Sequence, residues 1–174
     1  MADNRVILVD EQDREIGTEE KIRAHELALL HRAFSIFIFR KLNGKLELLL
    51  QKRHPDKYHC GGLWTNSVCS HPRPGETLTH ATRRRIREEL GIQVEVKAAG
   101  SFIYKAGFSN GLTEHEFDHV FVGFYHSGKL SIDPLEIEAI AWVNLPELEQ
   151  DLTANPGKYT PWFKQALQMA KKGL

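Results

Sequence analysis

Residues 76–92, ETLTHATRRRIREELGI, decide the fold of this chain. Thr77 offers the side-chain oxygen an N-cap requires, and Gly91 follows Leu90 where a left-handed residue closes a helix, so a helix is predicted over Leu78–Leu90. Its inward stripe reads Leu78, Ala81, Thr82, Arg85, Ile86 and Glu89. A helix that only packs would not turn a guanidinium and a carboxylate inward, so this one is expected to bring charge to a buried place. Arg83, Arg84 and Arg87 fall off the stripe and are expected to be solvated.

Outward from the helix the sequence turns to strands. Ala33–Phe39 (AFSIFIF) and Leu46–Gln51 (LELLLQ) flank Asn43-Gly44, a strong hairpin signal, and are expected to be central. Arg5–Val9, Phe102–Lys105, Glu114–Tyr125 and Ala139–Val143 read as further strands. Thr18 is expected to cap a short helix through Ala24, and Pro161 to open a terminal helix that buries Phe163, Ala166 and Leu167. The sum is an α/β chain, mostly strand, without repeats or linkers.

Its 174 residues, 41% of them hydrophobic, suit one domain with a sizeable core. The 23 Lys and Arg balance the 23 Asp and Glu, so no global field draws nucleic acid or an anionic membrane, and any anion site must be local. The opening MADNRVILVDEQDREIG has neither the basic nor the apolar part of a signal peptide, and no run approaches the roughly 20 apolar residues of a membrane span. A cytoplasmic location is expected, and with it reduced thiols at Cys60 and Cys69.

Four groups could carry chemistry. Glu114 and Glu116 alternate on one strand face, with Cα atoms roughly 7 Å apart, and could reach one cation or simply end a solvated strand. His115 and His119 share the other face about 13 Å apart, too far to clamp one ion, and read as structural or surface residues. In WTNSVCSHPRPGE, residues 64–76, His71 lies in a proline-rich loop, and Cys69 is a reactive thiol if cations or a metal lower its pKa, or else a small core residue. His25 and His31 can share a ligand role only across a turn. Together His25, His31, His71, Glu114 and Glu116 make a nitrogen and oxygen donor set suited to a divalent ion. Lys21, Lys52, Arg53, Lys57 and Arg85 could grip a diphosphate.

RRRIREELGI resembles a degenerate Nudix box, G-x5-E-x7-R-E-U-x-E-E-x-G-U with U aliphatic: Glu76, Arg84, Ile86, Glu88, Glu89, Gly91 and Ile92 match. Ser70 replaces the opening Gly, and Arg85 replaces a carboxylate that binds metal in Nudix hydrolases, which favours gripping phosphate over hydrolysis. With TNSVCSHP, the upstream His pair and the Glu-x-Glu strand, the chain closely resembles the type I isopentenyl-diphosphate isomerases from about Val6 to Trp162.

The resemblance implies a Nudix-like α/β/α sandwich with a mixed sheet, one domain over 1–174, in which a short N-terminal extension, 1–31, supplies metal-site histidines. It implies conversion of isopentenyl diphosphate to dimethylallyl diphosphate by protonation and deprotonation. The implied catalytic residues are Cys69 and Glu116, with Tyr104 hydrogen-bonded near Glu116 and Trp162 as an aromatic wall. Lys21, Arg53, Lys57 and Arg85 would contact the diphosphate. His25, His31, His71, Glu114 and Glu116 would hold Mn²⁺, Mg²⁺ or Zn²⁺, and Glu89 with the Cys69 backbone carbonyl would hold a Mg²⁺ on the diphosphate. The expected partner is a small isoprenoid diphosphate, with neither nucleic acid nor membrane, for a monomer or weak dimer. Cys60 has no role in this family and reads as buried filler. A Nudix pyrophosphohydrolase and a non-catalytic metal-binding domain are the rival readings.

Overall fold

A computed structural model describes residues 4–174; residues 1–3, the start of the expected N-terminal extension, lie outside it. The organising strand is β3 (His31–Leu42), which contains AFSIFIF. Along one edge it pairs in parallel with β8 (Thr113–Phe124), in register from His31 opposite Glu116 to Phe39 opposite Phe124. Three shorter antiparallel partners divide the other edge. β1 (Arg5–Val9) meets it at His31, β6 (Val68–Ser70) at Phe34–Ile36, and β4 (Lys45–Arg53) at Phe39–Leu42. The hairpin between β3 and β4 turns at Asn43 and Gly44, both with positive φ (50° and 74°), which matches strand twist and which Asn and Gly tolerate.

Because β3 is covered on both sides, its residues alternate between two cores rather than between core and water. Phe34, Ile36 and Ile38 pack with Ala81, Ile86 and Leu90 of α2 (Leu78–Leu90). Phe37 and Phe39 pack with Leu148 and Leu152 of α3 (Leu145–Ala154) and with Phe163, Ala166, Leu167 and Ala170 of α4 (Phe163–Lys172). The result is the expected α/β/α sandwich on a mixed sheet. Thr77 caps α2 by accepting from His80 N, and Gly91 ends it at φ 67°.

The remaining strands are β2 (Glu15–Glu20), β5 (Trp64–Thr65), β7 (Val96–Gly107) and β9 (Ile137–Asn144). The helix expected from Thr18 begins later. Residues 15–20 instead form β2, paired antiparallel along β1, and α1 (Lys21–Glu26) is capped by the Glu20 side chain accepting from Arg23 N at 2.9 Å. Pairing supplies backbone partners along the whole of β1, whereas one turn of helix in this polar segment would bury little.

Candidate active site

The site forms where one face of the sheet runs out of apolar residues. Phe37 and Val122 share the face that α4 covers; toward the N-terminal ends of β3 and β8 it continues as Ser35, then Asp118, then His31 beside Glu116. Cys69 sits opposite Ser35 in the β3–β6 ladder and so points to the same side. The segment before it closes the gap between β3 and β4 with side chains. Ser67 Oγ accepts from Ile38 N (2.8 Å) and donates to Leu49 O (2.6 Å). Asn66 Nδ2 donates to Val68 O, and its Oδ1 accepts from Trp162 Nε1 at 3.2 Å. Thr65 hydrogen-bonds Thr160 at 2.8 Å. The TNS of the motif thus ties the thiol-bearing strand to the indole of Trp162, with its buried polar atoms bonded rather than stranded.

His25 ends a turn of α1 and His31 opens β3; residues 27–30 bring their ring centroids to 4.9 Å. Each Nδ1 faces a backbone carbonyl, His25 that of Lys21 (2.6 Å) and His31 that of Leu29 (2.8 Å). A carbonyl only accepts, so Nδ1 carries the proton and Nε2 is left as an electron-pair donor. Both Nε2 atoms are buried without a hydrogen-bond partner among the described residues, which is how a metal-ligating imidazole is held by its neighbours. Burial pushes His25 down to about 4 and His71 to about 3, in each case against the pull of Glu116, so both rings are neutral and able to ligate. His71 Nε2 stands 2.9 Å from Glu116 Oε1 and His31 Nε2 3.6 Å from the same oxygen. The donor atoms of His25, His31, His71 and Glu116 all lie within 4.8 Å of one another. A second such group joins His25 to His59 and Glu114. The donors fit a divalent ion.

A cavity of about 330 Å³ opens beside this cluster, and Cys69, His71, Glu114, Glu116 and Trp162 line it. Lys21, Arg53, Lys57 and Arg85, the expected diphosphate contacts, line it too. These cations already have partners. Arg85 donates to Glu88 (2.8 Å) and Glu89 (2.5 Å) and lies 3.3 Å from Glu136; Lys57 also pairs with Glu136. Arg53 donates to Cys69 Sγ at 3.4 Å and to His59 O at 3.3 Å. The Lys21 ammonium rests 4.9 Å over the Tyr58 ring, and burial pushes it down to about 8. Lys52 is not at the cavity; it pairs with Glu138. Glu89 also stays behind the lining, with its two oxygens held by Arg85 and Gln51. Burial pushes its carboxyl up, against the charge of Arg85.

Burial pushes the Cys69 thiol up to about 12, opposed by Arg53 and reinforced by Glu89, Glu114 and Glu116. The protein's own charges therefore do not lower the thiol: Cys69 keeps its proton, because burial and three acidic neighbours outweigh one guanidinium. Burial also acts against ionisation of Glu116, but His31 and His71 beside it prevail and hold it well below the usual carboxylate range. Tyr104 pairs across the strands with Glu116, yet its hydroxyl donates to Glu114, one step along β8. Arg84 is not solvated as its position off the stripe implied. It grips Glu76 through two contacts of 2.7 Å and reaches the cavity lining, because Glu76 lies on the loop folded back over α2. Cys60 is half-exposed at φ 53°, a turn residue rather than core filler. His115 and His119 take structural bonds, to Ala28 O and Asp13.

The sequence reading missed His59, Tyr58 and Glu136, all of which line the cavity. They sit on loops or just before a strand, where no periodicity marks a side chain as inward. The one signal for His59 was its place two residues after Lys57, an expected phosphate contact.

Fold and site define a Nudix-fold protein with a histidine-rich centre. The family model described as NUDIX domain matches residues 29–163. A solved structure from Deinococcus radiodurans superposes with a TM-score of 0.74 at 19% identity, covering 95% of this chain and 98% of that one. The MutT protein of Methanosarcina mazei gives 0.65 at 19% identity, over 83% and 94%. At that identity these two share the fold alone. The isopentenyl-diphosphate Delta-isomerase 2 of Aromatoleum aromaticum is 47% identical over 165 residues, covering 95% of this chain and 85% of the relative. The isopentenyl-diphosphate Delta-isomerase of Serratia proteamaculans is 47% identical over 161 residues, covering 92% and 88%. The chain belongs to the NUDIX domain family and, within it, to the isopentenyl-diphosphate Delta-isomerases.

Proposed function

We propose that the chain isomerises isopentenyl diphosphate to dimethylallyl diphosphate, with Cys69 and Glu116 moving the two protons. The observation that carries this reading is that the Cys69 thiol, the Glu116 carboxylate and the Trp162 indole line one cavity together with four basic side chains; burial favours the protonated thiol and the neighbouring histidines favour the ionised carboxylate. The terminal alkene carbon gains a proton, C2 loses one, and the composition of the substrate is unchanged. An alkene is a poor base, so the tertiary cation formed between the two transfers needs both stabilisation and dryness. The buried face of Trp162 is worth about 2 kcal/mol to such a cation. A general acid and base in register with the reacting carbons contribute about 10²–10⁴-fold each.

Lys21, Arg53, Lys57 and Arg85 hold the diphosphate; Arg85 offers a planar fork where a hydrolase of this fold needs a metal-binding carboxylate. Tyr104 fixes Glu114 through its hydroxyl. His25, His31, His71, Glu114 and Glu116 are the residues that would hold a divalent ion, Mn²⁺, Mg²⁺ or Zn²⁺. Glu89, once Arg85 turns from it to the diphosphate, and the Cys69 backbone carbonyl would hold a Mg²⁺ arriving with the substrate. When bound, these ions supply positive charge that offsets the carboxylates and the substrate's phosphates. No helix among the described residues is long and apolar enough to cross a membrane.

The test is product analysis after incubation with isopentenyl diphosphate and Mg²⁺. The expected product is dimethylallyl diphosphate with no released phosphate. Inorganic phosphate or diphosphate would mean a hydrolase, and unchanged substrate a metal-binding domain without activity.

A further inference from the structure

His59 lies in the turn between β4 and β5, outside the five-residue donor set above, and is 6% exposed. It stacks on Phe108 at 4.9 Å with the rings 2° from parallel, and its centroid is 5.7 Å from that of His25. Neither of its ring nitrogens makes a hydrogen bond to any of the described residues. Nε2 nevertheless stands 2.7 Å from Glu114 Oε1, close enough for a bond but without the alignment for one. Leaving a buried polar group unpaired is unfavourable, so this ring calls for a partner that it and Glu114 can share. Its donor atom, that of His25 and that of Glu114 lie within 4.8 Å of one another. His25 belongs to both donor groups, yet its Nδ1 is spent on Lys21 O, so its single free nitrogen can serve one ion and not two.

We infer that His59 is a sixth donor to one metal centre, standing on the Glu114 side, so that four imidazoles and two carboxylates surround a single divalent ion. The inference rests on the metal-site reading above. A donor set this rich in nitrogen selects a transition metal over Mg²⁺, which prefers oxygen ligands and retains its waters.

The experiment uses chelator-stripped full-length protein titrated separately with Zn²⁺ and Mg²⁺, and X-ray absorption of the Zn²⁺-loaded form to count imidazoles. His59→Phe keeps the ring and the Phe108 stack but has no donor. It should weaken Zn²⁺ binding by at least about tenfold and remove one imidazole from the count. Its effect on Mg²⁺ should be under about threefold, since an imidazole adds little to an ion that prefers oxygen. His59→Ala should show the same pattern if the Phe variant does not fold. Unchanged Zn²⁺ affinity and imidazole count in a folded variant would overturn the role of His59 while leaving the centre intact, provided His71→Ala still loses affinity. Wild-type protein that takes up neither ion would overturn the centre and this inference together.

Discussion

The two halves of the cavity are prepared in opposite ways. The histidine–carboxylate half is open-handed: His25 and His31 are locked by backbone carbonyls on one nitrogen and turn the other, without a hydrogen-bond partner among the described residues, toward the shared donor cluster. The cationic half is already neutralised, with Arg85 and Lys57 engaged by Glu88, Glu89 and Glu136. On the proposed reading, one half gathers its donors around a positive charge, and the other exchanges internal partners when a diphosphate enters. Cys69 touches both, through Arg53 on one side and the charges of Glu114 and Glu116 on the other.

The largest effects should fall where the halves meet. Cys69→Ala and Glu116→Gln should each lower turnover by about 10³-fold or more, measured by single-turnover product formation. They should differ in metal uptake: Cys69→Ala keeps the ion and Glu116→Gln weakens it. Near-normal turnover in either variant would break the acid–base assignment, and equal metal loss in both would break the division between the halves.

The next effect separates a preformed half from one that rearranges. Zn²⁺ at a hundred times its Kd should stabilise the chelator-stripped protein by about 2.7 kcal/mol, read as a rise in Tm. Because the ligands stand on strands, a helix and turns that are already formed, the far-ultraviolet spectrum should not change as the ion binds. Glu136→Gln probes the other half. Releasing Lys57 and Arg85 from a competing carboxylate should lower KM by up to about fivefold, the worth of a partly exposed ion pair of about 1 kcal/mol. A higher KM would mean that Glu136 assists the diphosphate instead of competing with it.

The smallest effect serves as a reference outside the cavity. The Tyr159 hydroxyl, then Lys158 and Asn155, hold Asp151 at about 2, below its ordinary 3.8. A depressed carboxylate contributes stability that is complete above the ordinary value and fades as pH falls through the folded one. Asp151→Asn should therefore be less stable than wild type near pH 6, and the gap should close between pH 4 and pH 2 in denaturant titrations, with or without metal. A gap that depended on metal would mean that the cavity reaches this helix.

Much of this was legible in the chain. Helix α2 could be read because capping and termination are local: Thr77 and Gly91 act on neighbouring backbone. The β3–β4 hairpin could be read from Asn43-Gly44 for the same reason. The donors His25, His31, His71, Glu114 and Glu116 were named in advance, since residue type and family motif mark them; their division into two groups sharing His25 was not. Within it Glu114 stands beside His59 and Tyr104, and contacts between distant segments leave no periodic trace. Helix α3 went unread because only Leu148 and Leu152 of its ten residues are buried, too few to mark an apolar stripe, although Asn144 and Pro146 stand where a helix start places them. Arg84 shows the limit of a helical wheel: an off-stripe residue becomes half-buried when a loop carrying Glu76 folds over it.

The most direct measurement is turnover of isopentenyl diphosphate in D₂O, with the product read by deuterium and proton NMR. Protonation of the terminal carbon by a solvent-exchanged group should place one deuterium in a methyl group of dimethylallyl diphosphate, and Cys69→Ala should yield none. A product free of solvent deuterium, or phosphate released in its place, would rule out proton transfer between Cys69 and Glu116 as the work of this cavity.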